Sequence, residues 1–230
     1  MTTLAIIPAR SGSKGFRNKN IQKINNKTLI EIAYDVAKKT KIFTDILIST
    51  DSYEYKSILE KKSIFIDTLR PKKFSKDNTS DLELLTYEIK KFEKKNNTKV
   101  KYICLLQPTS PLRRVQDLKK CFNLMIFNKL DAVWTISKID KKFHPIKILI
   151  TKKNRLKYFS SEGHNFVNRQ SLKDNFIRNG IAYFFTRKSI INLKQILPLN
   201  SGFVETTREI ANIDSFQDFQ KAKRLLKKIK

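Results

Sequence analysis

Leu4-Ala5-Ile6-Ile7-Pro8-Ala9-Arg10-Ser11-Gly12-Ser13-Lys14-Gly15-Phe16-Arg17-Asn18-Lys19-Asn20 decides how this chain is read. The apolar run 4–7 predicts a buried strand. Pro8 ends it, because proline brings no N–H to a sheet ladder. The turn that follows carries two glycines, two serines and the cations Arg10, Lys14, Arg17 and Lys19. Glycine lets successive N–H groups point the same way, and such a nest holds anions. Cations around it neutralise a polyphosphate. The spacing matches neither the Walker loop nor the dinucleotide fingerprint. The reading is a nucleoside-triphosphate loop at the carboxyl end of the first strand of an open α/β sheet, where such sheets bind ligands. The competing reading is a plain basic surface loop.

Outward from the loop, strand and helix patterns alternate. Residues 27–40 have helical apolar spacing with Thr28 as cap. Residues 45–49 read as a strand, and Asp51 or Ser52 caps a helix over 53–62. Residues 64–67 read as a third strand. Ser80-Asp81-Leu82-Glu83 has capping-box form and starts a helix to about residue 95. Residues 102–106 and 131–137 read as strands, the latter holding Trp134, with a helix over 115–128 between them. Residues 179–186 and 203–205 are further strands, and 187–195 a helix. Residues 210–215 read as a strand with polar residues on one face, followed by a helix over 216–229 capped by Ser215. This alternation argues for a mainly parallel α/β sheet. Residues 138–178 do not continue it. They read as an extension, with Phe143, Tyr158, Phe159 and Phe166 exposed for a partner.

The chain has 230 residues, 40% of them hydrophobic, enough for one sizeable core. Its net charge of +27 admits a nucleic-acid binder, an enzyme of anionic substrates or a lysine coat. Lysines cluster at helix ends and on polar faces, which suits the helix dipole and a solvated coat. No basic block with interleaved aromatics supplies a nucleic-acid motif. Cys104 and Cys121 sit in apolar contexts and read as buried free thiols of a reducing compartment. No run of about 18 apolar residues could cross a bilayer. The expectation is a cytoplasmic protein with no membrane insertion.

A second informative stretch is Gln107-Pro108-Thr109-Ser110-Pro111-Leu112-Arg113-Arg114. Two prolines pin the backbone, while amide and hydroxyl groups face outward at a strand end. A rigid turn alone does not need Gln, Thr, Ser and Arg together.

The two stretches together resemble the cytidylyltransferases that activate nine-carbon 2-keto sugar acids, the family of CMP-N-acetylneuraminate synthetase. The resemblance covers nearly the whole chain. It implies a Rossmann-like, mainly parallel nucleotidyltransferase domain over 1–230, with 138–178 as an inserted dimerisation extension and a homodimer. It also implies transfer of CMP from CTP to the anomeric hydroxyl of a nonulosonic acid, with Mg²⁺. Arg10, Lys14 and Lys19 then match phosphate-contacting cations, and Asn20 a CTP contact. Ala9 and Ser13 go with them, Arg70 lies near the base and ribose, and Thr79 and Ser80 near the base. On the sugar side stand Gln107, Thr109, Ser110, Lys147, Arg169 and Tyr183. The family's Asp-x-Asp metal pair appears as Asn212 and Asp214, and Asp218 is a further oxygen donor nearby. An amide adds no charge, so the implied metal binding is weaker. The family's Arg-Pro-Asn-Gly stands here as Ile177-Arg178-Asn179-Gly180. Alternatives are a Kdo-activating relative, a CTP-binding homologue of weak activity, and a basic nucleic-acid-binding protein.

Overall fold

The computed structural model describes residues 2–12, 15–165, 168, 170 and 172–228. Ser13, Lys14, Phe166 and Arg169, all singled out by the sequence, lie outside the described residues, as does Ile229.

Strand β1 (Thr2–Pro8) lies inside a six-stranded sheet. A hairpin follows, β2 (Lys23–Ile24) and β3 (Lys27–Thr28), turned by Asn25 and Asn26 at φ 50° and 65°. Both turn residues adopt the left-handed region that a tight two-residue hairpin demands. Then come α1 (Leu29–Thr40), β4 (Asp45–Ser49), α2 (Tyr53–Glu60), α3 (Asp81–Asn96), β5 (Val100–Leu105), α4 (Val115–Phe127) and β6 (Ala132–Lys138). A second hairpin, β7 (Leu149–Lys152) with β8 (Arg155–Tyr158), precedes β9 (Phe176–Thr186), β10 (Ser201–Glu205) and α5 (Phe216–Lys227). The six-stranded order is β10-β6-β9-β5-β1-β4. β1 pairs parallel with both β4 and β5, whereas β9 runs antiparallel to β5. The sheet is mixed and mainly parallel, of Rossmann-like form.

The continuous apolar character of β1 follows from burial on both faces. Ala5 and Ile7 point into a layer with Ile30 and Ala33 of α1, Tyr55 and Leu59 of α2, and Leu118 and Cys121 of α4. Leu4 and Ile6 point the other way, onto Leu84, Leu85 and Ile89 of α3. β5 divides in the same manner, Cys104 against Ile103 and Leu105. A third cluster joins Ile24, Leu29, Leu112, Ile213 and Phe219, seating α5 under the first loop. Both cysteines are free and buried.

The helix caps form as the sequence spacing predicts. Thr28 with Glu31, Ser80 with Glu83, and Ser215 with Asp218 all make reciprocal capping boxes. Three sequence readings need correction. Residues 64–67 form no strand; the chain there is tied back by Ile64 N–H donating to the Leu59 carbonyl. The expected helix over 187–195 is a single π-helical turn, Lys188–Asn192. Residues 210–215 are not a strand, because Ile213 N–H is taken by the Thr109 carbonyl at 2.9 Å instead of a ladder partner.

The chain divides into two compact units. One comprises Met1–Thr135, Asn179–Val204 and Arg208–Lys230; the other is Ile136–Arg178 with Glu205–Thr207. The second unit contains the β7–β8 hairpin, whose eight residues are all exposed. Phe143, Tyr158 and Phe159 are exposed there too. Among the described residues no helix is long and apolar enough to cross a membrane.

Candidate active site

The first loop leaves β1 at Ala9, whose N–H donates to the Ser49 carbonyl at 2.8 Å. Its course is then fixed from two sides. Asp51 accepts Ser11 N–H at 2.8 Å and the Ser11 hydroxyl at 3.2 Å. Buried Asn20 donates its side-chain amide to the Arg10 carbonyl at 3.1 Å. Gly12, at φ 74°, adopts a backbone region unfavourable to other residues. A Cβ on Gly15 would lie 2.8 Å from the Asp214 carbonyl, so glycine is required for this close approach.

Two cations of the loop, Arg10 and Lys19, are held by carboxylates. Arg10 pairs with Asp77 at 2.7 Å. Lys19 pairs with Asp214 at 2.8 Å and donates to the Ile213 carbonyl at 3.1 Å. Arg70 is 3% exposed and donates to Ser75 Oγ and Ser49 Oγ. Ser49 in turn donates to buried Glu88 at 2.6 Å. Burial pulls the Arg70 pKa below its ordinary value, with Asp51 and Glu88 opposing and Arg10 adding to the fall. Of the two residues expected near the base, Ser80 serves as the α3 cap, and Thr79 N–H donates to the Lys76 carbonyl.

The second stretch meets the first through residues 212–214. Ser110 Oγ and Asn212 Oδ1 are 2.6 Å apart. Gly180, at φ 74°, faces the same spot. A Cβ there would lie 2.4 Å from Ser110 Oγ, 2.9 Å from Asn212 Oδ1 and 3.2 Å from Gln107 Oε1. Gln107, Ser110 and Asn212 therefore converge on one glycine. Tyr183 lies beneath, 3% exposed, its hydroxyl accepting Gly180 N–H at 2.7 Å. Ile213 bonds to Thr109 through its N–H and to Lys19 through its carbonyl. Thus Asn212 and Asp214 do not share one face of a strand. They reach two different loops and tie them together.

Lys147 closes the short 3-10 turn Pro145–Lys147 of the second unit, its N–H donating to the His144 carbonyl at 2.9 Å. Asp218 uses Oδ2 to accept the N–H groups of Asp214 and Ser215 and the Ser215 hydroxyl. It is a backbone brace for the segment carrying Asp214.

Sequence reasoning missed two residues. Of the two cap candidates, Ser52 caps α2, and Asp51 instead holds the loop, a role the sequence does not give it. Arg113 falls within the Gln107–Arg114 stretch but receives no role of its own from the sequence; it is buried and bonded to the Gln107 carbonyl. Local spacing does not show the Asp51 contact to Ser11 or the Arg113 contacts to Gly180 and Ile181, because these partners lie far away in sequence.

Among the described residues no three His, Cys, Asp or Glu side chains gather as a metal cage. The available donors are one carboxylate, already paired with Lys19, and one amide oxygen beside Ser110. A hard divalent ion prefers octahedral oxygen ligation and is often held by one or two carboxylates plus substrate phosphates. The donor set fits an ion that brings its other ligands with it, not one held by protein alone.

A basic loop at the end of β1, beside a cluster of polar groups after β5, lies where open α/β sheets bind ligands. The sequence model of the cytidylyltransferase family matches residues 4–228, and the chain belongs to that family. It is 31% identical to the CMP-N,N'-diacetyllegionaminic acid synthase of Campylobacter jejuni, covering 94% of this chain and 92% of the relative. It is 28% identical to the pseudaminic acid cytidylyltransferase of the same species, over 99% and 97% of the two chains. A solved CMP:2-keto-3-deoxy-manno-octonic acid synthetase complexed with CTP superposes with a TM-score of 0.75 at 16% identity, covering 100% of both chains. That likeness concerns the fold. Cytidylyltransferases of this kind generally use a divalent metal ion.

Proposed function

We propose that this protein transfers CMP from CTP to the anomeric hydroxyl of a nonulosonic acid of sialic, legionaminic or pseudaminic type, releasing diphosphate. One observation carries the reading: residues 212–214 join the cation-bearing loop to the Gln107–Ser110 turn. A triphosphate on the first and a sugar acid on the second would meet at that segment. The relatives named above support the acceptor class, and the Kdo alternative fits only weakly.

The sugar hydroxyl loses its proton to solvent as its oxygen forms a bond to the α-phosphorus, and the bond from that phosphorus to the β-phosphate bridge breaks, releasing diphosphate. Such a displacement depends on in-line positioning and on charge neutralisation. In this proposal Arg10, Lys14 and Lys19 neutralise the phosphates, and Ala9, Ser13 and Asn20 shape the loop around them. Arg70, Thr79 and Ser80 lie toward the nucleoside. Gln107, Thr109, Ser110 and Tyr183 form the acceptor side. When bound, Mg²⁺ supplies further neutralisation of the triphosphate, and Asp214 and Asn212 are the residues that would hold it. Lys19 would exchange Asp214 for phosphate as the nucleotide enters.

The second unit is assigned to homodimerisation, on the strength of its exposed apolar hairpin and aromatics. Lys147 and Arg169 would then serve the acceptor carboxylate, since burying that charge unpaired is costly.

The test is diphosphate release from CTP and Mg²⁺ with N-acetylneuraminic, legionaminic, pseudaminic and Kdo acceptors. Turnover with a nine-carbon acid is expected. Release with Kdo alone, or with none of the four, would overturn the proposal. Light scattering reports the dimer.

A further inference from the structure

Arg113 is 4% exposed, and its guanidinium faces three main-chain carbonyls. Nε donates to Ile181; Nη2 donates to Gln107 at 2.8 Å and to Gly180 at 3.2 Å. None of these acceptors is a carboxylate. Burying a cation costs several kcal/mol unless its surroundings compensate, and an apolar side chain would fill the same space more cheaply. Burial pulls the Arg113 pKa down to about 10, against the Cys104 thiol, Asp117 and Tyr183. A stabilising core contact does not by itself explain a guanidinium here.

The strand register does. β5 and β9 pair antiparallel from Tyr102 with Thr186 to Leu105 with Tyr183. Continued by two residues, that register would set Gln107 opposite Ile181. Instead the strands part, and Arg113 lies between those two carbonyls, donating to both. The fork stands where the β5–β9 pairing ends, in place of a direct bond between those two residues. Gly180 turns out of the gap at φ 74°, with Gln107, Ser110 and Asn212 around it.

We propose that Arg113 is a positioning residue for the acceptor substrate: its guanidinium bridges the turn after β5 to the middle of β9 and thereby sets the Gln107–Gly180 spacing of the proposed acceptor pocket. This rests on the reading of that pocket as the acceptor side. A lysine cannot replace it, because one ammonium does not present a planar fork to both strands.

The experiment compares wild type, Arg113→Met and Arg113→Lys. Wild-type diphosphate release with CTP and a nine-carbon acid tests the underlying reading by itself. For both variants the acceptor KM should rise at least tenfold, while the CTP KM stays within about twofold. A merely structural role would lower the active fraction and leave both KM values alone, or move both equally; either result overturns the proposal. Full recovery of the acceptor KM by lysine also overturns it, since charge without the fork would then suffice. Hydrogen exchange needs no turnover. Amides of residues 180–183 should exchange faster in Arg113→Met than in wild type, with α1 amides unchanged. Unaltered exchange at 180–183 refutes the bridge even if no acceptor is turned over. If neither variant folds, Arg113 is a determinant of the fold and the selective acceptor role is wrong.

Discussion

The Lys19 ammonium lies 2.8 Å from Asp214 Oδ1, joining the first loop to a segment near the other end of the chain. Side-chain exposure is uneven, 19% for Lys19 and 82% for Asp214, so the lysine is the fixed member and the carboxylate the accessible one. A pair this exposed adds little to stability. Its consequence is chemical: a triphosphate and a carboxylate compete for one ammonium.

Lys19→Met should therefore leave the melting temperature nearly unchanged while cutting kcat/KM about a hundredfold, roughly 2.7 kcal/mol of transition-state stabilisation. Calorimetric titration should show CTP binding weakened in parallel. Undiminished CTP affinity would show that Lys19 serves only Asp214.

Asn212→Asp adds a second carboxylate two residues before Asp214. The divalent-ion concentration giving half-maximal diphosphate release should fall, by about fivefold as an order of magnitude for one added charged ligand. Without nucleotide, wild type should bind Mn²⁺ weakly by paramagnetic resonance. Tight Mn²⁺ binding to the free protein would contradict an ion that arrives with the nucleotide.

Gly180→Ala meets two obstacles together, a positive φ and a Cβ position 2.4 Å from Ser110 Oγ. Backbone strain of this kind costs about 1–3 kcal/mol. The melting temperature should drop, and acceptor use should suffer more than CTP binding. An acceptor KM equal to that of wild type would place the sugar elsewhere.

Asp218 has its pKa held below the usual carboxylate value, first by the Ser215 hydroxyl and then by the backbone N–H groups of Ser215 and Asp214. A depressed folded pKa contributes stability that is present above the unfolded value and is lost as pH falls through the folded one. Denaturant midpoints measured from neutrality into acid should fall further for wild type than for Asp218→Asn. Ser215→Ala should cost about 1 kcal/mol at neutral pH. Parallel acid profiles for wild type and Asp218→Asn would show that the brace carries no linkage.

Much of the fold was legible because its signals are local. The apolar run of β1, the period of α1, α3 and α4, and three capping boxes each lie within a few residues. The direction of β9 was not legible, because an apolar strand reads the same whether its neighbour runs parallel or antiparallel. Residues 210–215 have strand-like spacing, yet tertiary bonds to Thr109 and Lys19 claimed their backbone groups.

The sequence by itself determined the chemistry available: a glycine-containing basic turn after a buried strand, a Gln-Pro-Thr-Ser turn, and an amide two residues before Asp214. Those are properties of side chains and of backbone freedom. Only the tertiary structure decided which groups meet. Asn212 went to Ser110, Asp214 to Lys19 and Arg113 to the carbonyls of Gly180 and Ile181. Each contact joins segments distant in the chain, and their distance is set by how the helices pack on the sheet, which no local spacing records.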